Sequence, residues 1–141
     1  MLTIDASVWV NADSPTEPES ASSRAFLDQV AAARTTIVVP TLLRVEVAGA
    51  ISRVRKDPAL AREYSDRLAA VPFVRWVALD PSLAALASGL AADHSLRGAD
   101  AVYAAVAMAH GCDLVSLDQE HLSRLSRVLQ VRTPAQALAA R

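Results

Sequence analysis

Short apolar runs of strand character alternate along this chain with segments of helical period. Leu2–Asp5 reads as a first strand, followed by a helix that opens at Ala6–Ser7 and runs toward Asn11. The polar, proline-bearing stretch Asp13–Ser20 is a loop and the segment most free to move, and Ser20 or Ser22 is placed to cap a helix continuing to about Arg34. Thr36–Val39 is a β-branched strand stopped by Pro40, and Thr41 caps a helix through roughly Lys56. Asp57-Pro58 breaks that helix and starts another that ends before Pro72. Val74–Leu79 is the next strand, and Asp80-Pro81 starts a helix that reaches about His94. After the Arg97-Gly98 break comes a very apolar helix, Ala99–His110. Leu114–Leu117 is a strand, Asp118–Leu125 a short helix, Val128–Val131 a last strand and Pro134–Ala140 a last helix.

Strands separated by helical stretches imply βαβ crossovers and an α/β fold whose parallel sheet is covered on both faces. Ligands of such folds bind at the carboxyl edge of the strands. The length of 141 residues suits one domain, spanning 1–141, with a core that needs no staples. No internal repeat or linker interrupts it.

Composition narrows the chemistry. Hydrophobic residues make up 52% of the chain and mean hydropathy is +0.25, yet every apolar run stops well short of the roughly 18 residues that cross a bilayer. The start Met-Leu-Thr-Ile-Asp has no secretory pattern, so a cytoplasmic location is expected, with no membrane partner. Cys112 is the single cysteine, which excludes an internal disulfide and multi-cysteine zinc or iron–sulfur sites. A net charge of −1 supplies no global field for nucleic acid, so any such binding relies on local patches or bound metal.

Four acids stand in or against apolar segments: Asp5, Glu46, Asp100 and Asp118. Asp5 ends the first strand and Asp118 follows Leu114–Leu117, so both belong to the ligand-binding edge. Glu46 lies on an apolar stripe with Leu42, Leu43, Gly49 and Ala50, and a buried carboxylate there needs a partner. Asp100 is the only charge between Ala99 and Met108. Each has a plainer explanation. Asp5 and Asp118 serve equally well as N-caps and Asp100 favours a helix dipole, while an ion pair of Glu46 with Arg44, Arg53 or Arg97 is the weaker explanation because a paired buried charge stabilises little net. Capping does not explain Glu46, nor why acids from several elements converge on one edge. Together they form an oxygen-only pocket of the kind hard divalent cations occupy.

Ile4-Asp5-Ala6-Ser7, Val45-Glu46-Val47-Ala48, Gly98-Ala99-Asp100-Ala101 and Val115-Ser116-Leu117-Asp118 resemble, in order and spacing, the four acidic signatures of the PIN domain. The chain is similar over its whole length to the VapC toxins of bacterial toxin–antitoxin pairs. The resemblance implies a three-layer α/β/α sandwich and metal-dependent cleavage of RNA by an activated water, leaving 5′-phosphate and 3′-hydroxyl ends. It also implies a small VapB-like antitoxin as inhibitor and a homodimer. Ser7 and Ser116 match the family's hydroxyl residues beside the first and fourth acids, and are expected to hydrogen-bond the metal ligands.

The residue types suit that reaction. A phosphodiester is anionic, and its hydrolysis needs cations that neutralise its oxygens and lower the pKa of a bound water. Mg²⁺ keeps several waters and is held by one or two carboxylates, and Mn²⁺ suits the same oxygens. Asp5 and Asp100 are expected as primary ligands, Asp118 as a ligand reached through water, and Glu46 as a ligand or proton acceptor. Arg97, three residues before Asp100, either contacts phosphate or pairs with an acid.

Other residues have plainer roles. His94, His110 and His121 lack metal-site spacing and read as surface or helix-end residues, although His121 stands where many family members carry an aromatic ring. Glu120 and Asp93 read as solvated acids. Arg53, Arg55 and Lys56, with Arg62 and Arg67 beyond, form a basic cluster that either guides RNA or is a wet helix face. Trp9, Trp76, Tyr64 and Tyr103 read as core or interface anchors, and Cys112 as a small buried hydrophobe.

Two further readings stand beside the ribonuclease: a PIN-like module that binds RNA or protein without cutting it, and a phosphoryl-transfer domain. The second lacks the lysine such sites place on phosphate, because the only lysine, Lys56, lies in the basic run.

Overall fold

The computed structural model describes residues 1–140. Five strands, β1 (Leu2–Ile4), β2 (Ile37–Pro40), β3 (Val74–Val77), β4 (Asp113–Val115) and β5 (Val131–Arg132), form one all-parallel sheet in the order β3-β2-β1-β4-β5. β1 and β2 are buried along their whole length, as continuous apolar strands covered on both faces must be. Eight helices flank the sheet among the described residues: α1 (Ala6–Ala12), α2 (Ser20–Ala32), α3 (Leu42–Arg55), α4 (Pro58–Ala69), α5 (Pro81–His94), α6 (Gly98–Ala109), α7 (Gln119–Arg124) and α8 (Pro134–Ala139). The result is the expected α/β/α sandwich.

α6 lies across β1, β2 and β4 with α5 outside it. Its residues from Asp100 to Ala107 are all buried, which explains a helix apolar on every side. α3 packs on α4 and α1, and α1 on α2, which in turn meets α8. The Asp-Pro starts act as read: Asp57 accepts from the Leu60 N–H at 3.0 Å and Asp80 from the Leu83 N–H at 2.8 Å, each before a helix that begins with proline.

Three local expectations are corrected. α2 is not capped by a serine: Ser20 is its buried first residue, and the preceding Glu19 takes a left-handed conformation with φ 66°. Thr41 precedes α3 with helical backbone angles and makes no side-chain cap. The last strand is not Val128–Val131 but Val131–Arg132, because the amides of Val128 and Leu129 turn back to the Leu125 carbonyl.

The register sets up the edge that matters. Leu2, Thr3 and Ile4 pair with Asp113, Leu114 and Val115, so the next residues, Asp5 and Ser116, emerge side by side at the carboxyl ends of β1 and β4. Connections leave these two neighbouring strands toward opposite sides of the sheet, which opens a crevice there. No described helix is long and apolar enough to cross a membrane.

Candidate metal centre

Asp5 is buried and caps α1, accepting from the Ser7 N–H at 3.1 Å. Asp100 sits in the first turn of α6, where it is also buried. Asp118 caps α7 through the Glu120 N–H at 2.7 Å. The acids at these three helix starts are therefore caps or first-turn residues and members of one cluster at once. Ligand-type atoms of Asp5, Asp100 and His121 lie within 4.8 Å of one another, and those of Asp100, Asp118 and Glu120 do the same. Asp100 is common to both groups.

A positive charge already lies among these acids. The Arg97 guanidinium donates to Asp100 at 3.1 Å and to Asp118 at 2.8 Å, and lies 3.7 Å from Glu120. It stands in for a cation on the two carboxylates it bridges, and their all-oxygen donor set is one that Mg²⁺ or Mn²⁺ fits. Of the two expected roles for Arg97, pairing with acids is the one observed here.

Glu46 reaches the same neighbourhood from α3, half-buried, and outside both three-residue groups. Its partner is none of the arginines considered: Arg44 binds Asp66 at 3.0 Å, Arg53 lies over Gly49, and Arg97 is on Asp100 and Asp118. The fully buried Tyr103 donates its hydroxyl to Glu46 at 2.5 Å. Tyr103 follows Asp100 by three residues and so shares its helix face, and it holds Glu46 in addition to its expected core role.

Burial is the main force raising the Glu46 pKa, and the Asp5 and Asp100 charges push the same way against the Tyr103 hydrogen bond. Asp100 is likewise raised, mainly by burial, with His121 the chief opposing influence, Asp118 adding to the rise and Arg97 opposing it. Burial and the adjacent Glu46 carboxylate hold the Tyr103 hydroxyl far above its ordinary range. Carboxylates that resist ionisation together are those a bound cation relieves.

The two serines tie the strand ends together. The Ser7 hydroxyl accepts from the Leu117 N–H at 3.1 Å, so it is the Ser7 main-chain amide that serves Asp5. The Ser116 hydroxyl, fully buried, lies 3.3 Å from Asp5 and accepts from the Asp118 N–H at 3.0 Å.

His121 is no surface residue: it is fully buried, with Nδ1 2.9 Å from the Ser116 hydroxyl and Nε2 2.9 Å from the Asp100 carbonyl oxygen. Its partners are 5 and 21 residues away, and a six-residue helix carries no periodic signal that points to them. Glu120 is also not simply solvated. It is half-buried, pairs with Arg124 at 3.3 Å and belongs to the second acidic group. Asp93 and His110 are exposed, and His94 ends α5. Within the basic cluster, Arg55 binds Asp13 at 3.2 Å and Arg67 lies 3.8 Å from Glu63.

A cavity of about 440 Å³ adjoins Glu46 and Ser7, walled by Val10, Val45, Ala50 and Arg53 among others. Of the four acids, Glu46 is the one in its lining.

The family model described as PIN domain matches residues 2–128. No curated protein matches the chain. Among solved structures, the chain is similar to VapC20 of Mycobacterium tuberculosis, described as a sarcin-ricin loop cleaving toxin, with a TM-score of 0.72 and 13% identity over 92% of this chain and 96% of that one. It is similar to VapBC2 of Rickettsia felis bound to a fragment of promoter DNA, with a TM-score of 0.68 and 14% identity over 94% and 97% of the two chains. A toxin–antitoxin complex of Klebsiella pneumoniae has a TM-score of 0.64 and 16% identity, with 95% and 98% covered. At these identities the likeness is one of fold.

Proposed function

This chain belongs to the PIN domain family, and from that premise we propose that it is a metal-dependent endoribonuclease of the VapC kind, a single domain that acts in the cytoplasm and is inhibited by a small cognate antitoxin. The observation that carries the reading is the convergence of Asp5, Asp100 and Asp118, from three different helix starts, on the crevice between β1 and β4.

Asp5 and Asp100 would hold Mg²⁺ or Mn²⁺, and Asp118 would add its carboxylate to the same ion. When bound, the ion neutralises phosphate charge and lowers the pKa of the attacking water. Glu46 is positioned by Tyr103 and would accept a proton from an attacking water, for which a raised carboxyl pKa is an asset. Arg97 is long and exposed, and its two hydrogen bonds are to carboxylates that the ion would neutralise, with Glu120 a looser neighbour at 3.7 Å, so it can turn to a phosphate oxygen once the ion is held. Ser7 and Ser116 keep the ends of β1 and β4 in place. The apolar residues exposed on α3, Val45 and Val54, offer contact surface to an antitoxin or to a second copy in a homodimer.

The test is to incubate partner-free protein with total RNA and Mg²⁺ or Mn²⁺, beside an EDTA control and an Asp5→Asn variant. Discrete fragments with 5′-phosphate ends, from wild type with metal only, are expected. Equal cutting by Asp5→Asn removes the assigned site, and no cutting of any RNA favours a module that binds without cleaving.

A further inference from the structure

A fully buried histidine beneath a carboxylate cluster is a choice that packing alone does not require, since an aromatic ring would fill the same space. The hydrogen bonds of His121 show what the imidazole adds. Its Nε2 faces the Asp100 carbonyl oxygen, which can only accept, so Nε2 carries the hydrogen. In the neutral ring Nδ1 is then a bare acceptor, and the group facing it at 2.9 Å is the Ser116 hydroxyl. That hydroxyl has one hydrogen and two possible takers, His121 and, at the longer 3.3 Å, the Asp5 carboxylate. Donation to His121 leaves the Asp5 Oδ2 with the Ser7 N–H as its remaining donor and with lone pairs open to a cation.

We propose that His121 is a positioning residue of the metal centre: as its Nε2–H tautomer it draws the Ser116 hydroxyl away from Asp5 and anchors α7 to the first turn of α6, so that Asp5, Asp100 and Asp118 face one cation. The proposal rests on the metal-centre reading above and deepens it. Three of the four acids depend on this one ring. Asp100 is held through its carbonyl, Asp118 through the N–H it gives to Ser116, and Asp5 through the Ser116 hydroxyl for which the shorter contact of the ring competes. The ring itself touches no substrate. Both nitrogens are engaged, so it supports the carboxylates and is not a ligand beside them.

The experiment combines three measurements. Long-range proton–nitrogen correlation on the metal-free wild type, in mildly alkaline solution, is expected to place one hydrogen on Nε2 of His121 and none on Nδ1. Calorimetric titration with Mn²⁺ is expected to show His121→Phe binding about tenfold more weakly, the usual scale for losing a residue that orients ligands. His121→Gln, whose amide can donate to the carbonyl and accept from Ser116, is expected to recover most of that loss. In the third measurement, adding Ser116→Ala to His121→Phe should cost little more than either change alone, because one acts through the other. A hydrogen on Nδ1, or a folded His121→Phe that binds Mn²⁺ like wild type, overturns the proposal. So does full additivity of the two changes. If His121→Phe does not fold, the tautomer and the Gln variant decide. Wild type that binds Mn²⁺ and shows these losses yet cuts no RNA sustains the proposal while removing the ribonuclease reading. Wild type with no Mn²⁺ affinity overturns both.

Discussion

The Glu46 carboxyl is half-buried beside the Asp5 and Asp100 charges, with the Tyr103 hydroxyl as its hydrogen-bond donor. Its pKa is raised above the ordinary 4.5, first by burial and then by those neighbours. For an acid shifted in this direction, stability is fully present below the unfolded value and is lost as pH rises through the folded one. The metal-free protein at neutral pH therefore carries a cost at Glu46 that a neutral amide would not. Glu46→Gln, which still accepts from Tyr103, is expected to melt with wild type at about pH 4 and a degree or more above it at about pH 7.5, both in EDTA. Saturating Mn²⁺ should narrow or reverse that gap, since the ion binds the folded wild type better. A gap that is the same at both pH values would mean that Glu46 ionises without penalty. The sequence already marked Glu46 as a buried charge in need of a partner, but Tyr103, 57 residues away, is visible only in the fold.

At the scale of the element, capping and ligation prove not to be rival explanations. Asp5, Asp57, Asp80 and Asp118 all accept a main-chain N–H at a helix start, the middle two before a proline and from the third residue on, the outer two from the second, and capping alone does not mark which can meet a ligand. Place in the sheet does. Asp5 and Asp118 follow the neighbouring central strands β1 and β4, whereas Asp80 follows β3, two strands from β1, and Asp57 joins two helices. Asp118→Asn, which keeps a good cap and removes a charge, is expected to melt close to wild type and to bind Mn²⁺ about tenfold more weakly. Asp80→Ala should do the reverse, costing about 1 kcal/mol of stability while leaving Mn²⁺ binding unchanged. Calorimetry and thermal melts of the two variants side by side would dismiss the assignment if Asp80→Ala weakened the ion as much. Elements with local signals were the legible ones. Asp-Pro starts and long periodic helices are local signals and fell within a residue or two. The start of α2 turns on the left-handed Glu19, and β5 has only two residues set by pairing with Leu114 and Val115, so neither has a local signature.

For the whole molecule, the question is how a chain of net charge −1 holds a polyanion. The basic cluster looked continuous in sequence, but folding divides it. Arg55 is drawn to Asp13 and Arg67 to Glu63, while Arg53, Lys56 and Arg62 are exposed and in no ion pair among the described residues. The Arg67–Glu63 pair is an i,i+4 spacing within α4 that the sequence displays, whereas Asp13 is brought to Arg55 from the end of α1 and no charge count along the chain reveals it. Arg53 is the cation of this group beside the cavity that leads to Glu46 and Ser7. Each phosphate neutralised on a single strand releases about 0.7 of a counterion, so three such contacts bound the slope of log affinity against log salt at about −2. Binding of RNA to the Asp5→Asn variant, which leaves the strand uncut, is expected to follow that shallow slope between roughly 50 and 200 mM salt. Arg53→Ala should reduce the slope by about 0.7 and weaken all RNA sequences alike, the mark of a phosphate contact. A slope near −4 would require Arg55, Arg67 and Arg44 to abandon their acids on binding, and would replace this account with one in which RNA rearranges the α3–α4 face.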